Sequence, residues 1–133
     1  MYKRLTHIGI AIKDMSRAES LFGGLFGKAA DHSETVQDQK VKATFFKIGE
    51  AGIELLEPTS PESTIAKFIE KRGEGIHHLS FEVDDIDREI ERLKGEGFQM
   101  IDEKARTGAD GFKIAFLHPK STNGVLIEIS QKL

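Results

Sequence analysis

Apolar and non-apolar positions alternate from Thr6 to Lys13, with Ile8, Ile10 and Ile12 on one side and His7, Gly9 and Ala11 on the other. The alternation returns 71 positions later, where His78 takes the place of His7 and Leu79, Phe81 and Val83 take the places of the three isoleucines. A period of two predicts a half-buried strand. After each strand the period becomes helical. Met15 to Phe26 spaces Ala18, Leu21, Phe22, Leu25 and Phe26 along a helix, and Ile86 to Gly97 does the same with Ile86, Ile90 and Leu93. Asp14 or Ser16, and Asp84 or Asp85, suit the N-caps, and Gly27 and Gly97 suit the stops. Two β-branched runs follow in each copy. Val41–Ile48 and Ile53–Leu56 answer to Lys113–Leu117 and Val125–Ile129, joined by turns with Gly49 and Gly52 or with Pro119 and Gly124.

The pattern is a repeat of strand, helix, strand, strand, strand. It predicts an α+β fold of two paired βαβββ modules in one domain spanning residues 1–133: module one over about 5–58, module two over about 75–131. At the end of each module the offset grows to 74, and the turn from His118 to Gly124 holds the three extra residues. A linker helix is predicted over about 60–73, with Ser60 as N-cap, Pro61 as first helical residue and Ile65, Phe68 and Ile69 as its apolar face.

Composition narrows the classes. There is no cysteine, so neither a disulfide framework nor a thiolate metal site is available. Nineteen basic and 22 acidic residues are mixed along the chain, which argues against a nucleic-acid partner. No apolar run approaches a membrane span, and Met1 to Arg4 lead directly into a strand. A soluble cytoplasmic protein without a membrane partner is expected.

Strand alternation also sorts the candidate chemistry. With Ile8, Ile10 and Ile12 turned to the helix, His7 points away from it, and so does His78. Glu54 lies opposite Ile53 and Leu55, and Glu128 opposite Ile127 and Ile129. His77 falls on the core side. One histidine at a strand start is ordinarily structural, and one strand glutamate is ordinarily solvated. Four such residues at repeat-equivalent positions on the same predicted face are a different matter. If the two repeats pair and their sheets curl together, His7, Glu54, His78 and Glu128 converge as a nitrogen/oxygen site for one divalent first-row metal, leaving two octahedral positions for water or substrate.

The most specific stretches are Ile53-Glu54-Leu55-Leu56-Glu57-Pro58 followed by Glu62-Ser63-Thr64, then Gly75-Ile76-His77-His78 with Val83-Asp84-Asp85-Ile86, and last Phe116-Leu117-His118-Pro119-Lys120 with Gly124-Val125-Leu126-Ile127-Glu128. On these the chain resembles the vicinal oxygen chelate (glyoxalase-like) superfamily from Thr6 to Ser130, and within it is most similar to the methylmalonyl-CoA epimerases. The resemblance implies a curled mixed sheet around the metal, a homodimer, an acyl-CoA substrate, and one cobalt ion per chain, with zinc, nickel or manganese as alternatives. It implies metal-dependent epimerisation through α-proton removal, with Glu128 as acid or base as well as ligand. Lys120 is a candidate for a phosphate or carboxylate of the substrate. Some epimerases carry a second carboxylate on the strand that here reads Val41-Lys42-Ala43-Thr44-Phe45-Phe46, so Glu54, a metal-bound water and a lysine all stay open for the second proton transfer. Asp102 to Lys113 reads as a loop able to close over the substrate. The alternatives are a glyoxalase I-type isomerase, since Glu54 makes the ligand set symmetric, and a non-catalytic small-molecule binding or resistance protein of the same fold. His32 and His118 have no repeat partner and are expected to be surface or structural.

Overall fold

The computed structural model describes residues 1–108 and 111–133. The chain forms two compact units, one of Ile8–His77 and the other of Met1–His7 with His78–Leu133. Strand β1 (Tyr2–Ala11) contributes its first residues to the second of these and its last to the first.

In the Ile8–His77 unit, helix α1 (Met15–Phe26) is followed by β2 (His32–Val36), β3 (Val41–Ile48), β4 (Ala51–Pro58) and helix α2 (Thr64–Arg72). The strands run in the order β2-β3-β4-β1, with β2, β3 and β4 antiparallel in sequence. Each sheet face carries an apolar cluster. On one, Ile10, Ile12, Phe46, Ile53 and Leu55 pack against Met15, Ala18, Phe22 and Phe26 of α1. On the other, Ala11, Val41, Ala43 and Leu56 pack against Ile65, Phe68 and Ile69 of α2. Helix α1 has the predicted bounds: the Asp14 carboxylate accepts from the Arg17 N–H, and Gly27 closes the helix at φ 67°, where a side chain would be strained. Leu21 and Leu25 do not join its buried stripe. They sit on the flank of the line 15, 18, 22, 26 and remain 58% and 68% exposed. Helix α2 starts three residues later than expected. Ser60 accepts from the Glu62 N–H in a separate turn, while the buried Ser63 hydroxyl accepts from the Ala66 N–H and is the true cap.

The other unit adds β5 (Gly75–Val83), helix α3 (Ile86–Gly95), β6 (Arg106–Thr107), β7 (Phe112–Leu117) and β8 (Ile127–Lys132), in the order β1-β5-β8-β7-β6. Pairing is mixed. β5 and β8 are parallel, with Ser80 opposite Glu128, and β7 and β8 are antiparallel, with Phe116 opposite Glu128. Val83, Ala115, Leu117 and Ile129 pack with Ile86, Ile90 and Leu93 of α3. Asp85, not Asp84, caps α3 by accepting from the Arg88 N–H. The helix ends two residues before Gly97, whose φ of 93° turns the chain so that the Phe98 N–H closes on the Leu93 carbonyl. β8 begins at Ile127 rather than Val125, because Val125 is held in the preceding turn by both its N–H and its carbonyl, each bonded to Thr122. Part of the loop expected over 102–113 is strand: Arg106–Thr107 pairs with β7, and residues 109 and 110 lie outside the described residues. Among the described residues no helix is long and apolar enough to cross a membrane.

Candidate metal centre

The unit formed by Met1–His7 and His78–Leu133 collects three of the predicted ligands. With Val83 turned into the α3 core, the opposite parity of β5 carries His78, Ser80 and Glu82. The parallel register then sets Glu128 beside Ser80 on that same face. His7 stands at the end of the β1 segment in this unit. All three side chains are largely withdrawn from solvent, at 16% exposure for His7, 5% for His78 and 8% for Glu128.

Their atoms converge. The Nε2 atoms of His7 and His78 are 3.0 Å apart, and Glu128 Oε1 lies 3.6 Å from the first and 3.9 Å from the second. The imidazoles meet edge to face with centroids 5.1 Å apart, and the His78 ring stands at 85° to that of Phe116, which fixes its plane. Two imidazole nitrogens facing each other at this range need a proton or a cation between them. With metal–nitrogen bonds of about 2.1 Å, neighbouring ligands of an octahedral shell are about 3.0 Å apart. Two imidazole nitrogens and a carboxylate oxygen suit a divalent first-row ion, so these residues fit the group the fold implies.

Below them the same face stays polar. The Glu82 carboxylate accepts from Arg4 Nε at 2.9 Å and lies 3.8 Å from Lys3 Nζ. Ser130 donates to the Phe81 carbonyl. The Ser80 hydroxyl is fully buried and has no hydrogen-bond partner among the described residues.

Glu54 belongs to the Ile8–His77 unit, half-buried on β4, opposite Phe45 and on the face of Gly52 and Leu56. Gly52 is required there, because an added Cβ would come within 2.8 Å of the Phe46 carbonyl and strike the Phe45 ring. In the same unit His77 packs edge-on against Phe68 of α2. Burial pushes its imidazole down to about 4, only partly offset by the negative charge of Glu54, so it is neutral at ordinary pH. Lys120 is exposed in the short turn Pro119–Ser121, where its backbone N–H donates to His118 Nδ1. His118 thereby holds the turn, a structural role, and exposed His32 pairs with Glu34. The parts that sequence reading missed are Phe116 and Ser80, which flank the site only through strand register, and the hydroxyl of Thr6, which was legible as the neighbour of His7.

A profile of the glyoxalase/bleomycin resistance protein/dioxygenase superfamily matches residues 6–116. The chain is 41% identical over 128 residues to the uncharacterized protein YqjC of Bacillus subtilis, covering 96% of this chain and 91% of that one. Its identity to the ethylmalonyl-CoA/methylmalonyl-CoA epimerase of Cereibacter sphaeroides is 36% over 133 residues, covering 98% and 99% of the two chains. A solved structure of a Streptomyces coelicolor methylmalonyl-CoA epimerase variant, in complex with 2-nitronate-propionyl-CoA, overlays with a TM-score of 0.94 at 33% identity, covering 99% of this chain and 96% of that one. The α+β, glyoxalase-like fold expected from the repeat is thus the fold of known isomerases that act on CoA esters.

Proposed function

The chain belongs to the glyoxalase/bleomycin resistance protein/dioxygenase superfamily, and from that premise we propose that it is a metal-dependent methylmalonyl-CoA epimerase. The observation that carries the reading is the meeting of the His7 and His78 Nε2 atoms at 3.0 Å beside the Glu128 carboxylate. In the proposal these three hold the ion, and Glu54 is the fourth ligand. Its support is its place in the repeat, on the last long strand of its module and on the same parity as Glu128.

The ion supplies positive charge that stabilises the developing oxyanion of a thioester losing its α-proton. The residues do the rest. Glu128 takes the α-proton on a carboxylate oxygen from one face of the carbon, and inversion requires a second group to give a proton on the opposite face, for which Glu54, a bound water and a lysine are the candidates. Burial of its side chain keeps bulk water from competing for that proton. His7 and His78 are braced edge to face, so their nitrogens are aimed before substrate arrives. Lys120, exposed on its turn, offers a cation to an anionic group of the CoA ester. Cobalt as the ion, a homodimer as the assembly and the cytoplasm as the location belong to the same reading, supported by the family resemblance.

The experiment is deuterium incorporation from solvent at the α-carbon of methylmalonyl-CoA, with metal-free protein and again after adding cobalt. Rapid cobalt-dependent exchange with interconversion of the epimers is expected. Tight cobalt binding without exchange would remove the epimerase and leave glutathione hemithioacetals as the next substrates.

A further inference from the structure

Thr6, immediately before His7, is 9% exposed, and its hydroxyl oxygen has two neighbours. It lies 3.1 Å from the Ser80 carbonyl oxygen and 3.1 Å from His7 Nδ1. A hydroxyl has one proton to give. A carbonyl oxygen can only accept, so the contact with Ser80 uses that proton. What Thr6 then presents to His7 is a lone pair, and Nδ1 satisfies it only by carrying hydrogen. His7 is thereby the Nδ1–H tautomer, and its free lone pair falls on Nε2, the nitrogen that faces His78 Nε2 and Glu128 Oε1.

We propose that Thr6 is a positioning residue that selects the His7 tautomer and so makes Nε2 a ready donor for a divalent cation. The proposal rests on the metal reading of this site. The Ser80 carbonyl is the anchor: it lies on β5, two residues beyond His78, so one backbone group ties the second histidine's strand to the tautomer of the first. A histidine donating its other ring N–H to an oxygen is held both in orientation and in basicity, and losing such a partner typically weakens metal binding about 10- to 100-fold. The surroundings give Nδ1 its acceptor without adding a charge, since Thr6 and the Ser80 carbonyl are both neutral.

Two measurements test this on the full chain. In metal-free wild-type protein the ring nitrogen shifts of His7, assigned with His7→Asn, are expected to show Nδ1 protonated and Nε2 bare; the opposite tautomer overturns the proposal. In cobalt titrations Thr6→Val, which keeps the branched shape, is expected to raise the dissociation constant about 10- to 100-fold. Thr6→Ser is expected to bind as the wild type does. Wild-type affinity in Thr6→Val, or failure of Thr6→Ser to restore it, overturns the proposal. If the wild-type protein takes up no cobalt, the metal reading falls by itself, and the nitrogen shifts still decide the role of Thr6.

Discussion

The two units spend the same sheet face differently. In Ile8–His77 the face opposite α1 carries Ala11, Ala43 and Leu56 under α2, an apolar contact throughout. In the other unit the face opposite α3 carries His78, Ser80, Glu82, Glu128 and Ser130, all less than 9% exposed. At repeat-equivalent places Leu56 answers to Ser130, and Ala11 to Glu82. One copy of the module is closed by a helix of its own unit, while the other keeps buried polar groups, of which all but the Ser80 hydroxyl have a partner among the described residues. Glu82 finds Arg4 and Lys3, Ser130 finds the Phe81 carbonyl, and the two histidines find each other and Glu128. The scaffold occurs twice, and the fully buried polar groups gather where no helix of the unit fills the face.

The comparison is broken most sharply at its two glutamates. Glu128→Gln is expected to lower α-proton exchange about a thousandfold with little loss of stability, since general acid–base groups contribute about 10²- to 10⁴-fold. Glu54→Gln keeps a neutral oxygen donor and is expected to keep measurable exchange. Equal losses in the two variants, read by deuterium incorporation, would abolish the asymmetry. Next comes Leu56→Ser, which gives the apolar face its counterpart's residue. A lost buried leucine costs about 2–5 kcal/mol, and a urea melt should show it.

A smaller effect follows from His77. Its imidazole titrates at about 4 in the folded chain against about 6.5 when unfolded. As pH falls below 6.5 the unfolded state takes up the proton first, so stability is lost between pH 6.5 and 4 and is flat above. The expected loss is about 3.5 kcal/mol in all, at about 1.4 kcal/mol for each pH unit between the two values. His77→Gln should remove that slope in melts run with a chelator present; an unchanged slope would assign it to other groups. Smallest of all is Ser130→Ala, which removes one long hydrogen bond of 3.4 Å and should change stability by less than about 1 kcal/mol.

Much of this was readable from the chain alone. The period-two and helical stretches located β1, β3, β4, β5, β7 and β8 and the helices α1, α2 and α3, but gave no range to β2 (His32–Val36), and parity put His7, His78 and Glu128 on the face away from the helix that follows each first strand. The misses have local causes. Leu21 and Leu25 have helical spacing, yet which flank of a helix is buried depends on the sheet beneath it. Ser60 and Ser63 both have capping chemistry, and only Ser63 has a helical N–H within reach. The setting of Ser80 and Phe116 beside Glu128 depends on strand register, which joins residues far apart in sequence and leaves no local mark.

The parallel pairing of β5 with β8 also bears on how the protein is made. Such a pair cannot close through a hairpin; it must wait for α3, β6 and β7 to be synthesised and folded between its strands. His7 and His78 are 71 residues apart, and Glu128 comes a further 50 residues on. Contacts of that separation form slowly because chain closure must precede any gain from them. The three donors meet only once β1, β5 and β8 are all in place, so a cation held as proposed would act as a late lock on the native state rather than as a nucleus for reaching it.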